Sequence, residues 1–112
     1  MEIFPEKLTK IEFAIADEMR ISVESLRSGS RTQEFARARH AVWTIAVDDL
    51  GYSYNRLKRL YEKDHTTVRH GVLKTRGTAL DVQARRAVNE RYPGLLNLGI
   101  ARGTTGGQTA EK

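Results

Sequence analysis

Residues 53–76 read SYNRLKRLYEKDHTTVRHGVLKTR, and this stretch decides the fold class. It contains two short apolar stripes at helical spacing, separated by a tight turn. Ser53 is suited to cap a first helix, 54–61, and Asp64 is suited to cap a second, about 65–76. Two short helices joined by a turn of a few residues are the helix-turn-helix pattern. The sequence therefore predicts this motif.

The rest of the chain also carries helical periodicity, and no segment alternates as a strand does. Residues 1–92 are predicted to form one all-α domain, a small helical bundle with Trp43 in its core. Residues 93–112 begin with Pro-Gly, become rich in glycine and threonine, and are predicted to form an extended, disordered tail. Further helices are predicted over 5–19, 21–26, 32–50 and 79–91, with N-caps at Ser22, Thr32 and Thr78 and a stop at Gly51.

Charge and composition limit the classes of function. The net charge is +5, and basic residues gather in two blocks, 26–40 and 54–76, on either side of an acidic, apolar stretch. If both blocks share a face, they would attract a phosphate backbone. The chain has no cysteine, which excludes disulfides and thiol catalysis. Since neither a secretory signal nor a membrane-length apolar run is visible, a cytoplasmic protein without membrane contact is expected.

The start of the 65–76 helix carries side chains that suit base recognition. A methyl group of Thr66 can pack on the thymine methyl, and its hydroxyl can form a hydrogen bond with a base. His65 can donate to a base acceptor. Asp64 can accept from a cytosine amino group, or it can simply cap the helix. Thr67 and the free N–H groups of the first turn suit a phosphate. Taken singly, these residues are weak signals, because an N-cap and an ordinary helix start explain them as well.

Read together as a contiguous string, these residues are a more specific signal than any of them alone. The string Asp64-His65-Thr66-Thr67-Val68-x-His70 resembles the signature of the C-terminal, box-binding domain of the bacterial replication initiator DnaA. Upstream, residues 11–26 resemble the first helix of that family and its Ile-Ser-Val-Glu-x-Leu turn, while 30–32 and 36–40 resemble its arginine-rich segment. The resemblance covers residues 8–76. It implies an all-α, Trp-repressor-like bundle that contains a helix-turn-helix.

The resemblance also implies a set of DNA contacts. Arg31 matches the arginine that reaches into the minor groove, where negative potential is concentrated. Asp64, His65 and Thr66 match the family positions that read bases in the major groove. Thr67 and Arg39 match family positions that hold the DNA backbone. His40 stands where the family usually has glutamine. The other residues expected at the DNA surface are Arg37, His40, Ser53, Tyr54, Asn55, Lys58, Lys63, Arg69 and His70.

The chain departs from the family pattern at several of these places. The turn Glu62-Lys63 is one residue shorter than usual and lacks the two glycines found there. The first helix of the motif begins Tyr54-Asn55-Arg56 instead of Leu-Pro-Glu, at positions some of which touch DNA in the family. Val47 replaces a basic residue that commonly holds phosphate. The preferred DNA site is therefore left open.

Two classes of function remain. No phosphate-binding glycine loop ending in Lys-Ser/Thr is present, so a stand-alone, non-enzymatic box binder without the ATPase domain is expected. The three histidines lack the spacing of a helical metal site, and no cofactor is expected. We expect a nucleoid-associated monomer that binds double-stranded DNA and regulates replication initiation or transcription, in contact with the initiator or the transcription machinery. The alternative is an adaptor that binds the initiator or its partners through the acidic N-terminal helix or the face around Asp48 and Asp49.

Overall fold

Six α-helices and their connections make up residues 3–96, which are the part of the chain that the computed structural model describes. The predicted all-α class is confirmed, and every helix end lies within two residues of its predicted position. No strand occurs within residues 3–96. The helices are α1 (Glu6–Met19), α2 (Val23–Arg27), α3 (Gln33–Leu50), α4 (Tyr54–Tyr61), α5 (His65–Thr75) and α6 (Ala79–Arg91).

Hydroxyl side chains begin three of the helices. Ser22, Ser53 and Thr78 each accept a hydrogen bond from the backbone N–H three residues later, at 3.0, 3.1 and 3.4 Å. Gly51 ends α3 with a φ of 76°, a conformation that glycine adopts without steric cost. Thr32 precedes α3 but does not form the predicted capping bond, because its hydroxyl pairs with a serine hydroxyl two residues earlier. Local sequence thus sets the start of α2, α4 and α6 and the end of α3.

Helix α3 is the centre of the bundle, and α1, α2, α5 and α6 pack around it. Trp43 is fully buried, as predicted, with its ring centroid 5.6 Å from that of Tyr61. Helix α4 packs against α5, so the helix-turn-helix joins the bundle mainly through its second helix. The other large apolar side chains that are fully buried are Leu8, Ile11, Ile15, Leu26, Val42, Ile45, Leu57, Val68, Val72 and Val88.

A buried carboxylate links three helices, and sequence reasoning did not anticipate it. The side chain of Glu12 on α1 is 0% exposed and accepts hydrogen bonds from Arg27 at 3.0 and 3.1 Å and from the Tyr61 hydroxyl at 2.6 Å. Burial and the neighbouring carboxylate raise the pKa of Tyr61 well above its ordinary value, so its hydroxyl remains a donor. The Phe4 ring covers Arg27, with the guanidinium carbon 3.8 Å from the ring centroid. The charge of Glu12 is therefore fully compensated inside the protein.

Removal of this carboxylate should destabilise the protein strongly. Glu12→Ala leaves the Arg27 guanidinium and the Tyr61 hydroxyl without their acceptor, and breaking a buried pair in this way costs about 3–5 kcal/mol. Urea unfolding at pH 7 measures the loss. Glu90→Ala is the matched control, because it removes an exposed carboxylate, and it should change the free energy of unfolding by less than about 0.5 kcal/mol. Similar losses in the two variants would contradict the assignment.

Helices α3 and α5 cross where Gly71 faces His40. A Cβ atom built at Gly71 would lie 2.6 Å from His40 Cδ2, which is closer than carbon atoms approach one another. Glycine inside a helix costs up to about 1 kcal/mol relative to alanine. The absence of a side chain at Gly71 is therefore what allows the two helices to pack at this distance.

Substitution of Gly71 by alanine should destabilise the fold, although alanine is the better helix former. The added methyl group would meet the His40 ring, and overpacking of this kind costs about 1–3 kcal/mol. In a His40→Ala background the same substitution should be neutral or stabilising. Urea unfolding of the four proteins in this cycle measures the coupling. If Gly71→Ala has the same effect in both backgrounds, His40 is not the obstacle.

The carboxyl end of α3 is acidic, but its charges are paired. Arg85 of α6 forms ion pairs with three aspartates, Asp48, Asp49 and Asp81. Arg76 donates two hydrogen bonds to Asp48, at 2.9 and 2.6 Å. The face that the adaptor alternative requires is thus occupied by arginines of the same chain. These pairs also fasten α6 and the end of α5 to α3.

The chain continues past α6 to Leu96, whose side chain is buried against the core. Leu96 belongs to the segment 93–112 that the sequence assigns to a tail. Residues 97–112 lie outside the described residues, so the division of the chain at residue 92 stays a prediction. Between residues 3 and 96, none of the helices has both the length and the apolar character that crossing a membrane requires.

Candidate nucleic-acid interface

The turn between α4 and α5 depends on a residue in an unusual conformation. Glu62 has φ 54° and ψ 49°, in the left-handed region. This conformation costs a residue with a side chain about 1–2 kcal/mol, and glycine is the usual solution. The backbone N–H of Lys63 donates to the carbonyl of Lys58 at 3.2 Å. The turn is therefore as tight as a glycine would make it, although no glycine is present.

The first turn of α5 projects out of the protein. Asp64, His65, Thr66 and Thr67 are all exposed, whereas Val68 on the opposite side is fully buried. Asp64 occupies the N-cap position, but its carboxylate does not form the expected capping hydrogen bond. The first N–H groups of α5 therefore have no side-chain acceptor at the cap. Together with the positive end of the helix dipole, they present an environment that favours an anion.

Arg31 lies on the connection between α2 and α3, and this connection runs beside the first turn of α5. A groove of about 430 Å³ is bordered by both segments, including Arg31 on one side and Asp64 and Thr67 on the other. Lys63 also approaches the connection, because its ammonium lies 4.0 Å from the point that a Cβ atom would occupy at Gly29. The exposed Arg31 and the amino end of α5 are thus on the same side of the molecule.

The start of α4 extends this surface. The edge of the Tyr54 ring meets the His65 imidazole, with the ring centroids 5.5 Å apart and the planes at 90°. This contact restricts the orientation of an otherwise exposed histidine. Asn55 and Lys58 are exposed on the same helix. Ser53 uses its hydroxyl as the N-cap of α4.

The three predicted DNA-side residues of α3 differ in their surroundings. Arg37 is exposed and borders, with Lys74, a second groove of about 390 Å³. Arg39 is 4% exposed, and its guanidinium donates to three backbone carbonyls. In the free protein these guanidinium donors are bonded within the chain. Direct contact of Arg39 with the DNA backbone stays a prediction. On α5, Arg69 and His70 are exposed one turn beyond the threonines.

His40 is half-buried between α3 and α5. Burial lowers its pKa to about 4, and the positive charges of Lys74 and Arg39 act in the same direction. The imidazole is therefore neutral at pH 7 and brings no charge to the surface. Its ring lies 5.5 Å from that of Trp43, measured between centroids. His40 thus serves the packing of α3 on α5 and also borders the groove beside Arg31.

Sequence reasoning did not find the internal role of Arg39, and it did not single out Lys74. Arg39 was expected to hold the DNA backbone because it matches a family position with that role. Its position, four residues after Phe35 and four before Trp43, belongs to the buried stripe of α3, and this spacing could have revealed its internal role. Lys74 was not singled out, although its spacing from His70 on α5 places it on the exposed, basic side of the helix.

A tight turn between two helices, with the second exposed at its amino end, is the geometry of a helix-turn-helix. The family described as bacterial dnaA protein helix-turn-helix matches residues 8–74, which is more than half of the chain. The chain belongs to the DnaA helix-turn-helix family. The resemblance drawn from the Asp64–His70 string is thereby confirmed. Searches of the curated proteins and of the solved structures return no match.

The DnaA helix-turn-helix is a DNA-binding, non-catalytic domain associated with DNA replication. The matched region begins in α1 and ends in α5, so it includes the connection that carries Arg31 as well as the motif itself. Helix α6, which packs on α1 and α3, lies outside the matched region. Helix α6 thus supports the matched region from the side of α1 and α3.

The lowered pKa of His40 predicts a specific pH dependence of stability. Because its pKa is about 4 in the folded protein and about 6.5 when unfolded, the unfolded chain binds the proton more readily. The stability that comes from neutral His40 is complete above about pH 6.5 and is lost as the pH falls towards 4. His40→Gln removes this contribution while the carboxylates stay the same. Urea unfolding from pH 7 to 4 should show a steeper decline for the natural protein, and parallel curves would refute the prediction.

Proposed function

We propose that this protein binds double-stranded DNA in a sequence-specific manner, at sites that resemble DnaA boxes. Through this binding it regulates replication initiation or transcription at the nucleoid. The observation that carries the proposal is the exposed, uncapped amino end of α5 beside the connection that holds Arg31. This arrangement lets α5 enter a major groove while Arg31 reaches the adjacent minor groove. The bound unit is proposed to be a monomer on an asymmetric site.

Base recognition is assigned to the first turn of α5. Thr66 offers a methyl group for thymine and a hydroxyl for a hydrogen bond, and His65 offers a ring N–H to a base acceptor. The contact with Tyr54 holds the His65 ring in place before DNA binds. The carboxylate of Asp64, which makes no capping bond, is available to a cytosine amino group.

Contact with the phosphate backbone is assigned to the residues around this turn. Thr67 and the first N–H groups of α5 suit one phosphate. Arg37 on α3, Lys58 on α4 and Arg69 on α5 are exposed cations, and contact with the DNA backbone would release counterions. The proposed backbone contacts are Arg37, Lys58, Lys63, Arg69 and His70, with Asn55 beside them.

The structure offers less to the adaptor alternative than the sequence suggested. That function needs free acidic side chains on α1 or at the end of α3. On α1, Asp17 pairs with Arg91 at 3.0 Å, and Glu18 accepts a hydrogen bond from Gln83 at 3.0 Å. The aspartates at the end of α3 are paired with arginines, as described above.

Selection of preferred sites from a random duplex pool tests the proposal directly. The protein should enrich one asymmetric sequence, and Thr66→Ala should weaken binding to it by about 1–3 kcal/mol and relax the preference at one position. Binding to a scrambled duplex should change little in this variant. Fluorescence anisotropy with both duplexes at several salt concentrations measures these effects.

Lys58→Ala serves as the matched control for a backbone contact. It should weaken binding to all duplexes alike and reduce the slope of log K against log salt by about one. If no sequence is enriched and the box-like and scrambled duplexes bind equally at moderate salt, sequence-specific binding is wrong and the adaptor function is favoured. If Thr66→Ala reduces binding equally on both duplexes, Thr66 does not read a base.

A further inference from the structure

The connection between α2 and α3 is a short serine-rich segment with a defined shape. The Ser28 hydroxyl donates to the Ser25 carbonyl at 2.7 Å and accepts from the Ser30 N–H at 3.3 Å. The Ser30 hydroxyl in turn accepts from the Thr32 N–H at 3.1 Å. These local bonds shape the backbone on both sides of Arg31. They do not attach it to the bundle, because every partner belongs to the connection itself or to the end of α2.

Attachment to the bundle comes from Arg39. Its guanidinium reaches back from α3 and donates to the carbonyls of Leu26 and Ser28, at 3.0 and 2.7 Å, and to that of Ser30 at 2.8 Å. The first acceptor is one of the carbonyls that the end of α2 leaves without a helical partner. The last belongs to the residue immediately before Arg31. The Arg39 side chain thus holds the connection from its first residue, Ser28, to Ser30, which immediately precedes Arg31.

This role requires a guanidinium and cannot be filled by charge alone. A planar fork with several fixed N–H groups can serve three carbonyls at once, whereas a lysine ammonium on a flexible stem cannot reproduce that geometry. Arg39 is almost completely buried, and burial lowers its pKa. Arg37, two residues earlier on the same helix, is exposed. The two arginines therefore differ in function although both belong to the same basic block.

We infer that Arg39 is a positioning residue: it anchors the connection between α2 and α3 so that Arg31 is presented beside the amino end of α5. Arg39 acts through Arg31 rather than by contact with phosphate. The inference rests on the proposed minor-groove role of Arg31. It differs from the direct backbone contact that the family resemblance implies for Arg39, and the experiments below distinguish the two roles.

A double-mutant cycle on the selected duplex tests the inference. Arg31→Ala should weaken binding roughly tenfold, the size of one groove contact. Arg39→Lys, which keeps the charge, should cause much of that loss in the natural background but less than about twofold in the Arg31→Ala background. Arg37→Lys is the matched control and should change little in either background. Equal losses from Arg39→Lys in both backgrounds would overturn the inference, because Arg39 would then act independently of Arg31.

Nuclear magnetic resonance of the protein, first alone and then with DNA, separates this inference from the proposed function. In the natural protein the Arg39 guanidinium should show hindered rotation, and its signals should stay in place when DNA is added. Averaged guanidinium signals, or a shift of those signals on DNA binding, would overturn the inference. This measurement decides the question even if Arg39→Lys does not fold. If Arg31→Ala leaves DNA affinity unchanged while the Arg39 signals are hindered, Arg39 anchors the connection and the proposed minor-groove contact fails.

Discussion

One buried carboxylate is bonded to the residues that precede both segments of the candidate interface. Glu12 accepts hydrogen bonds from Arg27, the last residue of α2, and from Tyr61, the last residue of α4. The connection that carries Arg31 starts immediately after the first donor, and the turn that leads into α5 starts immediately after the second. These segments are far apart in sequence, yet their origins are fixed to the same pair of oxygen atoms. Because a buried charge tolerates little displacement from its partners, the spacing between the two segments is held by α1, which lies outside the candidate interface.

The amino end of α5 is then oriented by close packing rather than by polar contacts. Gly71 lets α5 approach α3 until it meets the His40 ring, while Val68 and Val72 fill the space on the inner side. At the other end of the turn, Glu62 adopts a backbone conformation that glycine usually provides. The protein therefore tolerates local strain to keep the turn short. The packing of neighbouring residues must offset the free-energy cost of this strain. Backbone strain of this kind is common at functional sites.

The helices and the family could be predicted from the sequence because their signals are local. Helical spacing and serine or threonine caps depend on residues a few positions apart, and the string that begins at Asp64 is contiguous. The roles of Glu12 and Arg39 could not be read in the same way, because their partners are distant in sequence and only the tertiary fold brings them together. Both positions do fall on the buried stripe of their helices, which was a sign that their charges are compensated internally. The N-cap bond expected of Asp64 also failed, since a suitable residue does not ensure the side-chain rotamer that capping requires.

The chain contains a single tryptophan, and its position makes it a built-in optical probe. Trp43 is fully enclosed, with its ring close to those of His40 and Tyr61. Its emission in the native protein is therefore that of an indole shielded from water, and unfolding moves the ring into solvent. No base can stack on a ring enclosed in this way. Intrinsic fluorescence can thus follow the integrity of the bundle while a nucleic acid is present, without an attached dye.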